Sequence, residues 1–119
     1  MSDFTVNPRY ITKSDDFLIE TIRNSMKELG SFAGIGLEKL YNIKFVGTES
    51  IKYVGNERSK GKVEELLFSD IKNTLRTLKS LSVFNTNTEI IKEKFTTSVF
   101  RQRANLFAIL LATEIIKEV

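Results

Sequence analysis

Three basic residues, Lys72, Arg76 and Lys79, recur at i, i+4 and i+7 opposite Ile71, Leu75 and Leu78. On a helix that spacing makes a ridge of one charge sign. Arg58, Lys60 and Lys62 in a polar stretch before it, and Arg101 and Arg103 after it, extend the basic set. Ser69, Ser98 and Asn105 interleave hydroxyls and an amide. Such a surface suits a sugar-phosphate backbone, where each Lys or Arg contact releases counterions and adds affinity without reading sequence. A solvated helix face is the competing reading, since the excess over the whole chain is only +3. Arg101 also has a structural alternative: it enters an apolar stretch one turn ahead of Asn105, placed to pair with Glu38, Asp70 or an acid of another chain.

Catalysis has little to build on. The chain contains no histidine and no cysteine, which removes the commonest general base, the thiolate nucleophile and the usual ligands of zinc, copper and non-haem iron. Gly55 to Gly61-Lys62 has the setting of a phosphate-cradling loop. Five residues separate its glycines where that motif has four, and Val63 stands where a Ser or Thr must hold magnesium. Gly34-Ile35-Gly36 lacks a third glycine and sits inside a helical period. Asp15 with Asp16, and Glu64 with Glu65, are sequence neighbours that diverge by about 100° on a helix, so neither pair converges on one atom. Both are read as first-turn acids that complement a helix dipole. Serines occur without a histidine or nucleophile-elbow glycines. The expectation is a non-enzyme with no cofactor and no metal.

The elements that must position these residues are organised around the last third of the chain. From Asn85 the sequence reads as one long helix, opened by Thr86 and Glu89 at capping-box spacing. Its half from Leu106 to Ala112 is apolar on every side and must be wrapped by other segments or by another chain. Thr96-Thr97-Ser98 marks a place where this helix can break. The apolar run there is seven residues, against about 20 for a membrane span.

Upstream, residues 1–13 form an extended arm holding the only proline, Pro8. Ser14, followed by Asp15 and Asp16, starts a helix whose apolar residues step from Leu18 through Ile22, Met26, Leu29, Ala33 and Leu37 to Leu40. Gly30, Gly34 and Gly36 either break it or let another backbone approach. Residues 43–46 and 51–54 make a β-hairpin across Thr48-Glu49-Ser50. A three-residue loop would set Phe45 opposite Tyr53, with Ile43 and Ile51 on the same face. Residues 55–62 are a flexible basic loop, and Val63, Leu67, Ile71, Leu75 and Leu78 mark an amphipathic helix.

With 41% apolar and 28% charged residues, the chain is expected to be one globular helical domain over residues 1–119. The expected fold is mainly α: a three-helix bundle, four if the first helix breaks at Gly30–Gly36, around a buried C-terminal helix, with a small hairpin at about 43–54. The N-terminus carries no basic and apolar leader, and a cytoplasmic, non-membrane protein is expected. If two helices and a hairpin fall short of covering the last helix, Leu106, Ile109, Leu110 and Ile116 form an oligomer or partner interface. By kind, the chain looks like accessory subunits of multi-subunit nucleic-acid complexes. It is read as a non-enzymatic subunit touching nucleic-acid backbone, not a particular base sequence, through the basic set. The alternative is a protein-binding regulator, such as an inhibitor or immunity protein of a toxin or defence system.

Overall fold

Ser14 starts the first helix as its sequence requires: its Oγ accepts from the amide of Phe17 at 3.1 Å. In the computed structural model, which describes residues 3–35, 40–55, 62–94 and 97–119, the elements run β1 (Phe4–Val6), α1 (Asp15–Leu29), β2 (Ser31–Ala33), β3 (Leu40–Val46), β4 (Ser50–Val54), β5 (Val63–Leu67), α2 (Phe68–Lys79), α3 (Glu89–Lys94), α4 (Thr97–Arg101), α5 (Arg103–Ala112) and β6 (Ile116–Glu118). β2 to β5 form a four-stranded antiparallel sheet in sequence order, and β1 pairs with β6 in a second, two-stranded sheet. The fold is therefore mixed α/β. The expected helical bundle is wrong, for three local reasons.

First, α1 stops at Gly30, whose φ of 71° lies in the left-handed region and whose N–H returns to the Met26 carbonyl. The break yields a strand, not a fourth helix: Ser31 to Ala33 pair with Asn42 to Leu40, and Phe32 stacks on Tyr41 with centroids 5.1 Å apart. Gly36 lies outside the described residues.

Second, Val63 to Leu67, read as the first turn of a helix, is strand β5. A two-stranded hairpin is marginal alone, and this segment completes a meander along β4. Its alternation turns Leu66 into the core and leaves Val63 and Leu67 exposed. The helical period begins only at Phe68, whose amide is held by the Glu49 carbonyl of the β3–β4 turn at 2.8 Å.

Third, the long C-terminal helix is three helices and a strand. The first, α3, starts at Glu89, and Thr88 rather than Thr86 holds the turn before it, its Oγ1 accepting from the Asn85 amide at 2.9 Å. α3 is described to Lys94 and α4 from Thr97; Thr97 and Ser98 of the expected break are helical, and residues 95 and 96 lie outside the described set. Gln102 alone separates α4 from α5, with its side chain turned inward. α5 closes with Glu114 at φ 63°, the amides of Glu114 and Ile115 reaching the Leu111 and Leu110 carbonyls. That is a Schellman closure with a non-glycine at its left-handed position, a conformation costing L-residues about 1 kcal/mol. Glu114→Gly should accordingly raise the urea midpoint, a gain of about 0.5–1 kcal/mol; a decrease would show that the Glu114 side chain itself is needed.

The hairpin exists, with a different register. The amide of Gly47 bonds the Ser50 carbonyl and Val46 faces Ile51, so Thr48 and Glu49 make a two-residue turn. Phe45 then faces Lys52, and an irregularity at Lys44 restores Ile43 opposite Tyr53. The bulge resolves the conflict that the shorter loop creates: Tyr41, Ile51 and Tyr53 stay inside, and Phe45 goes to solvent. Gly47 lies under the exposed Phe45 ring, where a Cβ would stand 2.6 Å from Cε1 and turn the ring aside.

The all-round apolar segment is wrapped. Leu106, Ile109 and Leu110 are 0% exposed and Ile116 is 1% exposed, so these four are core and not an oligomer or partner interface. Strand β1 supplies cover that helix counting missed: Phe4 and Phe84 both meet the Phe107 ring edge-on, at 5.9 and 5.7 Å. Among the described residues no helix is long and apolar enough to cross a membrane.

Candidate functional site

Helix α2 presents Lys72, Arg76 and Lys79 as their spacing requires, but the first turn of α1 lies against them. Lys72 Nζ is 2.8 Å from Asp16, Arg76 Nε 2.8 Å from Asp15, and Lys79 Nζ 3.0 Å from Asp15. Lys79 also donates to the Lys13 carbonyl at 2.6 Å. The two aspartates thus serve the α1 dipole and offset two of the ridge's three charges at once. The signal for this was present in the sequence, as two acids in one segment and three bases at helical spacing in another, but only folding makes them neighbours.

Burial would raise the Asp15 carboxyl, but hydrogen bonds and charge from Arg76 and Lys79 outweigh it and hold the group below the usual value. A carboxyl depressed in the folded state adds stability above its unfolded pKa of about 4, lost as pH falls through the folded value. Asp15→Asn should therefore cost about 1 kcal/mol at pH 7 and show a shallower loss of stability below pH ~4. Denaturant midpoints measured across pH check both parts.

The remaining basic residues separate from this ridge. Arg58 and Lys60 lie outside the described residues, and Lys62 is exposed just before β5. Arg101, at the end of α4, is exposed. It makes no hydrogen bond or ion pair with a described residue, so the expected pairing with Asp70 is not made, and Glu38 lies outside the described set. Arg103, opening α5, donates to the Thr86 carbonyl at 3.1 Å and the Phe100 carbonyl at 2.8 Å, its guanidinium 4.1 Å over the Phe100 ring. It too has no carboxylate partner among the described residues.

Arg101 and Arg103 share a cleft of about 390 Å³ with Glu64, Phe100, Gln102 and Asn105. Its floor is a polar network that sequence reading missed. The Tyr53 hydroxyl, on β4, accepts from Asn105 Nδ2 at 3.1 Å and has the Gln102 Oε1 and Glu64 Oε2 acceptors in reach, the latter at 3.2 Å. Gln102 Nε2 donates to the Glu65 carbonyl at 2.9 Å, which fixes the orientation of its amide. Glu64 and Glu65 are thus strand residues, one on each face of the sheet, and not first-turn acids. Tyr53 read as a core aromatic in a hairpin, and nothing local marked its hydroxyl as the hub.

The network limits the chemistry. Burial pushes the Tyr53 phenol up, and the Glu64 carboxylate beside it adds to the effect, so the group keeps its proton at neutral pH and acts as a donor, not a base. Among the described residues no three Asp, Glu, His or Cys side chains gather where a metal ion would sit. Two guanidiniums without carboxylate partners among the described residues, beside a held carboxamide, are equipped to recognise an oxyanion. A second hollow of about 360 Å³, bordered by Ala33, Ile35, Ala108, Leu111 and Glu118, is mainly aliphatic and carries no such constellation. No family model, curated protein or solved structure matches the chain.

Proposed function

We propose that the chain is a non-catalytic binding domain that contacts nucleic-acid phosphates at the cleft between β5 and the α4–α5 junction, as part of a larger complex. The observation that carries this reading is the division of the basic residues. Lys72, Arg76 and Lys79 are tied to Asp15 and Asp16, whereas Arg101 and Arg103 line one cleft without a carboxylate partner among the described residues. Asn105, held by Tyr53, adds an amide, and Phe100 a ring for stacking. The contact is to backbone, and affinity falls with salt.

Fluorescence anisotropy with a generic single-stranded oligonucleotide tests this. Arg101→Gln is expected to weaken binding about fivefold and to reduce the log–log salt slope by about 1, while Lys72→Gln with Arg76→Gln changes affinity less. Absence of binding at low salt removes the proposal. Stoichiometric capture of one acidic protein would then favour the regulator alternative, in which the same arginines meet carboxylates.

A further inference from the structure

One face of the four-stranded sheet is covered by helices through Tyr41, Ile51, Tyr53 and Leu66, all buried. The other is open. On it stand Leu40 at 50%, Phe45 at 56%, Val63 at 50% and Leu67 at 42% exposure. Nothing in the cleft reading uses these residues, and large apolar side chains gathered on one face mark an interaction surface.

The charges towards the β5 edge of this face say what fits it. Lys52 and Glu65 are direct cross-strand partners, yet no ion pair joins them. Lys52 Nζ lies 5.8 Å over the Phe45 ring, and Glu65 Oε2 instead accepts from Ser50 Oγ at 2.7 Å. A cation and an anion side by side, unpaired with each other and flanked by apolar groups, match the same surface turned over. A two-fold axis in the plane of the face, parallel to the strands and midway between β4 and β5, sets Lys52 of one copy over Glu65 of the other, and the reverse. The same rotation lays Val63 towards Val54 of the second copy.

We propose that the β4–β5 half of this open sheet face binds a second copy of the chain in an isologous, face-to-face dimer held by the reciprocal Lys52–Glu65 pairs and by Val63 against Val54. About this axis only β4 and β5 of each copy overlap, and two strands about 4.8 Å apart and about five residues long offer roughly 160 Å² of face per copy. A stable dimer buries about 800 Å² per partner, so this one is weak and forms only at high concentration.

Sedimentation of the intact chain over a wide concentration range, with circular dichroism to confirm folding, tests the proposal. Lys52→Glu and Glu65→Lys should each weaken the dimer at least tenfold, because each places like charges across both contacts. An equimolar mixture of the two variants should recover a heterodimer close to wild-type strength, since one then carries two anions and the other two cations. A wild type that stays monomeric at millimolar concentration, a dimer indifferent to either reversal, or a mixture that fails to recover would each overturn it.

Discussion

Phe107→Ala is expected to lower the stability by about 3–5 kcal/mol, a fall in Tm of roughly 10–20 °C, with a single cooperative transition retained. The side chain is fully buried, and its ring meets Phe4 and Phe84 edge-on, two residues far apart in sequence. Those partners are themselves locked together: Phe4 and Phe84 exchange backbone hydrogen bonds at 2.7 and 2.9 Å, and β1 is paired to β6. Backbone so tied cannot collapse into the space that alanine leaves, which puts the cost at the upper part of the range for aromatic truncation. Phe107→Leu, which fills most of the volume, should recover more than half of the loss. A cost for Phe107→Ala below about 2 kcal/mol in urea unfolding would mean that the aromatic cluster is not the centre of the core.

Tyr53→Phe is the second large effect, about 1–3 kcal/mol, although it removes a single oxygen. Ring packing against Phe32 and Tyr41 survives the change. What is lost is the hub: Asn105 Nδ2 loses its acceptor, Glu64 a donor and Gln102 one of its partners, all beneath the cleft. Coupling identifies the cause. In a double-mutant cycle with Asn105→Ala the two losses should fall short of additive by 0.5 kcal/mol or more, as expected for members of one network, whereas strict additivity would show that they act separately (the coupling range is roughly 0.5–3 kcal/mol). The pH dependence carries a sign as well. A phenol whose folded pKa is raised contributes stability that is present below its unfolded value of about 10 and lost as pH rises beyond it, so the wild type should weaken at high pH by a component that the Phe variant lacks. Binding at the cleft should weaken in the same variant, since the Asn105 amide is then no longer held.

What was legible along the chain were features set by neighbours in sequence. Ser14 caps α1 because a hydroxyl three residues ahead of an amide reaches it in any context. Gly30 ends α1 because only glycine enters the left-handed region without penalty. The apolar run at Leu106 is enclosed because no aqueous surface tolerates it. The hairpin register was not legible: Phe45 faces Lys52 and not Tyr53, and the bulge at Lys44 that makes this tolerable depends on packing and has no local signature.

The candidate site was half legible. Arg101 and Arg103 stand out as charges beside an apolar segment, but the hydroxyl that organises the cleft is on Tyr53, about fifty residues away. The α2 ridge was misread for the complementary reason: charge spacing gives the direction of side chains and not what the fold lays over them.

By itself, then, the sequence determined where α1 starts, that a glycine at residue 30 can end it, that the run from Leu106 must leave water, and that histidine and cysteine chemistry is absent. Only the tertiary structure decided that Val63 to Leu67 is a strand, that the two chain ends zip together as β1 and β6, and which cations face acids. The physical reason is range. Capping and hydrophobic periodicity act over one or two helical turns, whereas strand pairing, ion pairs and buried hydrogen bonds are made between segments whose meeting depends on how every other apolar surface has been covered.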